Sequence, residues 1–110
     1  MNALSREQFE GEGQHYGRPG RIPGSVNVPA MAVIDEATGA LRTRSELETV
    51  FRDAGADGFE RLITYCGGGI AASTAFLALE VLGYNNVSLY DGSLLEWTKD
   101  PQAPLDVGPL

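Results

Sequence analysis

The chain carries one cysteine, Cys66, in the run Tyr65-Cys66-Gly67-Gly68-Gly69-Ile70-Ala71-Ala72. A thiol followed by three glycines suits nucleophilic chemistry. Glycine has no side chain to block approach and accepts positive φ. The backbone from Gly67 through Ile70 and Ala71 to Ala72 can therefore wrap the sulfur and turn its N–H groups toward it. Such a nest at a helix N-terminus lowers a thiol's pKa and favours thiolate, the attacking form. The same donors would hold a terminal persulfide or a bound oxyanion. A lone cysteine is otherwise simply a small buried hydrophobe, but its place between a strand and a glycine-opened helix favours the reactive reading. No His, Cys, Asp or Glu spacing suggests a metal site, and no glycine motif precedes a Lys-Ser/Thr pair. No metal or organic cofactor is called for.

The elements that must position Cys66 can be read around it. Arg61 to Cys66 is rich in strand-forming residues, and the glycines break it. Ile70 to Leu82 then reads as a helix apolar on most faces, hence buried, ending at Gly83. Asn86 to Tyr90 reads as another strand, Asp91-Gly92-Ser93 as a turn, and Leu94 to Lys99 as a last short helix with Ser93 as its N-cap. Upstream, Ser5 and Gln8 could cap a short helical turn. Gly11 to Gly20 is a loop by composition, and Val26 to Pro29 is a short strand. Thr43 to Ala54 is the clearest helix: Thr43 and Glu46 form a capping box, and Leu47, Val50 and Phe51 share one face. Gly55 sits where a terminating glycine belongs. Alternating strands and helices imply an α/β fold with a mainly parallel sheet, and chemistry at the strands' C-terminal ends. Cys66 stands at such an end.

The 110 residues suit one domain with a real core. The formal net charge of -7 argues against nucleic acid and against anionic membrane surfaces as partners. It also means that a small anionic substrate must be held by local donors, because the overall field opposes it. One cysteine cannot form an internal disulfide, and no apolar leader opens the sequence, so a reducing, cytoplasmic setting is expected.

Three ordered segments resemble the rhodanese family. Gly20-Arg21-Ile22-Pro23-Gly24-Ser25-Val26-Asn27-Val28-Pro29 resembles its "GHIPGAVNIP" signature. Tyr65 to Ala72 resembles its active-site loop, particularly the uncharged loop of mercaptopyruvate-type enzymes. Leu89-Tyr90-Asp91-Gly92-Ser93-Leu94-Leu95-Glu96-Trp97 resembles the strand, turn and tryptophan that close the domain. The resemblance covers Ser5 to about Pro104. It implies a rhodanese-like parallel sheet of about five strands flanked by helices. It also implies a two-step reaction, in which Cys66 takes sulfane sulfur from thiosulfate or 3-mercaptopyruvate and passes it to cyanide or a thiol acceptor.

Departures from the family pattern shape the expectations. The family's first strand carries an aspartate, and here that strand is cut short, with Asn2 or Ser5 near the acid's place. Residues 1–110 then read as one rhodanese domain, the C-terminal half of a longer tandem protein with a partner rhodanese domain upstream. Arg21 replaces the signature's histidine. The loop has no Arg or Lys to meet a dianionic donor, and Gly68 stands where mercaptopyruvate enzymes often have a hydroxyl, so the donor stays open. Arg18 and Arg21 are the candidate cations for the donor's charged end, with solvated loop arginines as the plain alternative. His15 reads as surface, Phe76, Tyr90 and Trp97 as core. A cell-cycle dual-specificity phosphatase, which shares the fold, needs an arginine where Ala72 stands, so phosphoryl transfer is poorly supported. The remaining alternative is a non-catalytic docking or regulatory module.

Overall fold

The structure, a computed structural model, describes residues 1–110. Helix α1 (Arg6–Glu10) starts as its sequence dictates: the Ser5 hydroxyl accepts from the Gln8 amide, and Gly11 ends the turn at φ 94°. Gln8's side chain accepts from that same hydroxyl rather than from the Ser5 amide, so only half of the expected box forms. Helix α2 (Arg44–Asp53) has the complete box between Thr43 and Glu46, and it buries Leu47 and Phe51. Gly55 follows it at φ 81°, with its amide on the Arg52 carbonyl. Two 3-10 turns, Ala30–Val33 and Ala56–Gly58, lie in segments that had no expected structure.

Strand β1 (Leu62–Thr64) and strand β2 (Val87–Leu89) pair in parallel, with Leu62 opposite Val87 and Thr64 opposite Leu89. Helix α3 (Ile70–Val81) connects them and packs across both. The sheet is smaller than the five strands expected. Asn2 makes single parallel bridges to Asn27 and Tyr65, so four backbone segments run side by side but only two form a ladder. The Met1–Leu4 segment contributes these single bridges and no ladder. The Asn2 side chain bends back to accept the Leu4 amide, and its buried amide nitrogen has no partner.

Helix α3 is not buried on most faces. Ala72, Ala75, Ala78 and Leu79 face the core, while Ile70 is 86% exposed and Leu77 50% exposed. Small alanines let the helix lie close on the sheet, which leaves its larger side chains outward. Helix α4 (Ser93–Trp97) closes the fold. Ser93 is its first residue and not its N-cap. It is the only non-glycine residue at positive φ, 52°, a conformation that costs about 1–2 kcal/mol in an L-residue. No helix is long and apolar enough to cross a membrane.

Candidate functional site

Cys66 leaves the sheet immediately after Tyr65. Its amide turns away from the ladder and donates to the Ser93 hydroxyl at 3.0 Å, and that hydroxyl donates to the Tyr90 carbonyl at 2.9 Å. The carbonyls of Cys66 and Gly67 accept from the amides of Leu94 and Leu95 at 3.0 and 2.9 Å. The loop is thus sewn to the start of α4 on both sides of the sulfur. These bonds explain the strained Ser93 backbone: the turn after β2 must place a hydroxyl and two amides against one loop.

Cys66 is 2% exposed. Its sulfur accepts the Gly69 amide at 3.0 Å. The amides of Gly67 and Gly68 donate to no protein acceptor, and the first-turn amides of α3, from Ile70 to Ala72, have no intrahelical partner. Unpaired donors therefore follow the thiol along the chain, and Gly69 alone bonds to it.

The three glycines serve different ends. Gly69 sits at φ 102°, and a Cβ there would come within 2.7 Å of the Asp91 carbonyl oxygen, so only glycine fits. Gly67 has the end of the Tyr16 ring packed against its α-carbon and leaves no room for a methyl. Gly68 is exposed and has ordinary space, with Leu95 at 3.5 Å from a built Cβ.

Arg18 and Arg21 are employed elsewhere. The Arg18 guanidinium donates to the carbonyls of Asp100 and Ala103 at 3.1 and 2.7 Å. Arg21 is buried. It donates to the carbonyls of Phe9 and Gly108 at 3.3 and 2.6 Å and lies over the Phe9 ring at 4.4 Å. Neither guanidinium bonds to the Cys66 loop, and the two tie the Arg18–Arg21 segment to the carbonyls of Ala103 and Gly108. The nearest charged group to Gly69 is Asp91, whose Oδ1 lies 3.0 Å from a built Cβ. Ser73 donates to the Ile70 carbonyl at 2.6 Å, as hydroxyls one turn into a helix commonly do. His15 is exposed, and Phe76 is half-buried. Tyr90 and Trp97 are half-buried against the core. Burial raises the Tyr90 phenol's pKa, reinforced by its 2.8 Å hydrogen bond to Glu96.

Sequence reasoning missed two contributors. Ser93 looked like a helix cap, because serine before a helix commonly is one. Tyr16 passed as loop, although an aromatic among polar residues and glycines, with nothing local to pack on, was a usable signal. A cavity of about 720 Å³ lies apart from the thiol on the open sheet face, lined in part by Ile22, Val26, Phe59, Ile63 and Trp97.

A family model described as "Rhodanese-like domain" matches residues 5–100. A protein of Haloferax volcanii named "Putative thiosulfate sulfurtransferase" is 38% identical over 98% of this chain and 40% of its own length. The "3-mercaptopyruvate sulfurtransferase" of Escherichia coli O157:H7 is 41% identical over 84% of this chain and 32% of its own length. The chain thus spans two-fifths or less of these relatives. Among solved structures, Tum1 of Saccharomyces cerevisiae superposes with a TM-score of 0.79 at 28% identity, covering 96% of this chain and 38% of that one. The anaerobic ergothioneine biosynthesis enzyme of Chlorobium limicola superposes with a TM-score of 0.85 at 26% identity, over 99% of this chain and 28% of its own.

Proposed function

The chain belongs to the rhodanese-like domain family, and from that premise we propose that it is a sulfurtransferase domain carrying sulfur as a persulfide on Cys66. One observation supports this most: the Cys66 sulfur accepts an amide hydrogen bond at 3.0 Å inside a glycine loop between β1 and α3. Anionic sulfur gains more from such a bond than neutral thiol does. The thiolate attacks the outer sulfur of thiosulfate, forms the Cys66 S–S bond and expels sulfite. With 3-mercaptopyruvate the C–S bond breaks instead, and the carbon takes up a proton to leave pyruvate. Cyanide or an acceptor thiolate then attacks the outer persulfide sulfur, takes it and returns Cys66 thiolate. The spare amides of Gly67 and Gly68, with those of Ile70, Ala71 and Ala72, hold the charge on the outer sulfur. No side-chain cation is needed, and Arg18 and Arg21 play no direct part in binding the donor. A reducing, cytoplasmic setting suits a free thiol, and a partner rhodanese domain in a longer protein belongs to the same proposal.

The test is intact mass after incubation with thiosulfate and, separately, with 3-mercaptopyruvate. One added sulfur on Cys66, removed by cyanide and absent in Cys66→Ser, is the expected result. The faster donor identifies the substrate class.

The burial of Cys66 favours a second reading, a docking or regulatory module whose cysteine is inert. That reading requires no sulfur gain from either donor, together with slow alkylation of the folded protein.

A further inference from the structure

The far end of the Tyr16 ring rests on the backbone next to the sulfur. A Cβ built on Gly67 would collide with Cε1 and Cζ of Tyr16 and lie 2.5 Å from Cε2. These three carbons surround the hydroxyl end of the ring, so close packing here needs both an aromatic at 16 and a glycine at 67. The Gly67 carbonyl is held from the other side by the Leu95 amide at 2.9 Å. Gly67 is therefore gripped between a ring and a helix, and its own amide is the first after the Cys66 thiol.

The ring is itself held in place. The Tyr16 carbonyl lies 2.9 Å from the Thr98 hydroxyl, and Gly17 at φ 97° packs on the same threonine. Arg18 fastens the next step of the strap to the Asp100 and Ala103 carbonyls. These contacts come from the segment that follows the thiol by more than thirty residues, on the order of a whole supersecondary unit.

We propose that Tyr16 is a positioning residue for the Cys66 loop: its ring fixes Gly67 so that the loop amides face the sulfur, and Arg18 acts on the site through Tyr16 and not by touching a donor. The proposal deepens the persulfide reading and rests on it for its catalytic meaning. The geometric claim stands separately. Removing the ring lets Gly67 relax, and the amides then no longer favour the anionic sulfur.

The test uses Tyr16→Phe, Tyr16→Ala, Gly67→Ala and the double variant Tyr16→Ala/Gly67→Ala. Alkylation of the sole cysteine by iodoacetamide, followed against pH, reads thiolate formation without any sulfur donor. Charged neighbours of the loop, Asp91 at Gly69 and Glu96 against Gly92, are the same throughout, so differences within the series come from the loop. In Tyr16→Ala the midpoint of the alkylation profile rises by about half a pH unit or more, and sulfur loading falls on the order of tenfold. Tyr16→Phe keeps the wild-type profile, because the ring remains. Gly67→Ala behaves like Tyr16→Ala, and the double variant is less impaired than the two effects added, since the missing ring makes room for the methyl.

A folded Tyr16→Ala protein with the wild-type profile and loading overturns the proposal, as does a Tyr16→Phe protein impaired as strongly as Tyr16→Ala. Should Tyr16→Ala not fold, Tyr16→Leu and Gly67→Ala carry the same comparison. Wild-type protein that gains no sulfur from either donor, with the alkylation shift still present in the variants, defeats the sulfurtransferase reading and leaves the loop clamp standing.

Discussion

Ser93 joins three constraints in one side chain. Its hydroxyl satisfies the Cys66 amide and the Tyr90 carbonyl, and its backbone holds φ 52° to do so. Ser93→Ala leaves the buried Cys66 amide without an acceptor while keeping the unfavourable φ. We expect a loss of about 1–3 kcal/mol in urea unfolding, with sulfur loading reduced as well. An unchanged unfolding midpoint would show that the amide finds another partner. The role was hidden in the sequence because the bond spans 27 positions, whereas capping is read from neighbours. The same limit applies to Arg21. An arginine in a signature loop looks available to an anion, and only the packed chain shows its charge used by carbonyls and the Phe9 ring. The setting of Cys66 between a strand and a helix was legible, because the residues that bracket it are adjacent in sequence.

The helices were legible where local chemistry fixes them. Helix α2 was expected over 43–54 and forms over Arg44–Asp53, since its capping box and apolar face lie within one stretch of chain. Thr43→Ala should cost about 1 kcal/mol, measured by thermal or urea unfolding. The box also makes a pH prediction. The hydrogen bonds from Thr43 hold the Glu46 carboxyl below its ordinary pKa. A carboxylate with a depressed folded-state pKa contributes its stability above its unfolded-state value and loses it as pH falls through the folded one. Glu46→Gln should therefore flatten the acid limb of the stability curve below the usual carboxylate range, and an identical limb would contradict the box's role. The strands were less legible than the helices. The strands at Leu62–Thr64 and Val87–Leu89 proved shorter than expected, and Val26 to Pro29 makes only the Asn27 bridge, because strand length depends on partners: Cys66 gives its amide to Ser93 instead of a neighbouring strand, and β2 has β1 alone for a ladder.

At the scale of the whole molecule, the N- and C-terminal segments are tied together beside the site. Arg21 pairs through its backbone with Asp106 and through its side chain with the Gly108 carbonyl, while Arg18 reaches Asp100 and Ala103. Deleting residues 101–110 removes acceptors from both arginines, at about 1.5–3 kcal/mol for each charge-assisted bond lost. The shortened protein should unfold at lower urea concentration, and its Cys66 alkylation profile should move in the same direction as that of Tyr16→Ala. A truncated protein with both properties unchanged would show that the tail does not support the strap. This tie was not visible in the sequence, where Pro101 and Pro104 mark only the end of regular structure.

The tie also sets an order of events during synthesis. A ribosome delivers Cys66 well before the residues that hold the Tyr16 strap, so the nascent thiol lacks its clamp while the rest of the sheet and α3 can already form. Only when residues 98–108 have emerged can Thr98 hold the Tyr16 carbonyl and the two arginines find the carbonyls of Asp100, Ala103 and Gly108. Maturation of the sulfur site is in this sense postponed well past the synthesis of the cysteine, and a chain interrupted before Thr98 carries Cys66 without its finished cradle.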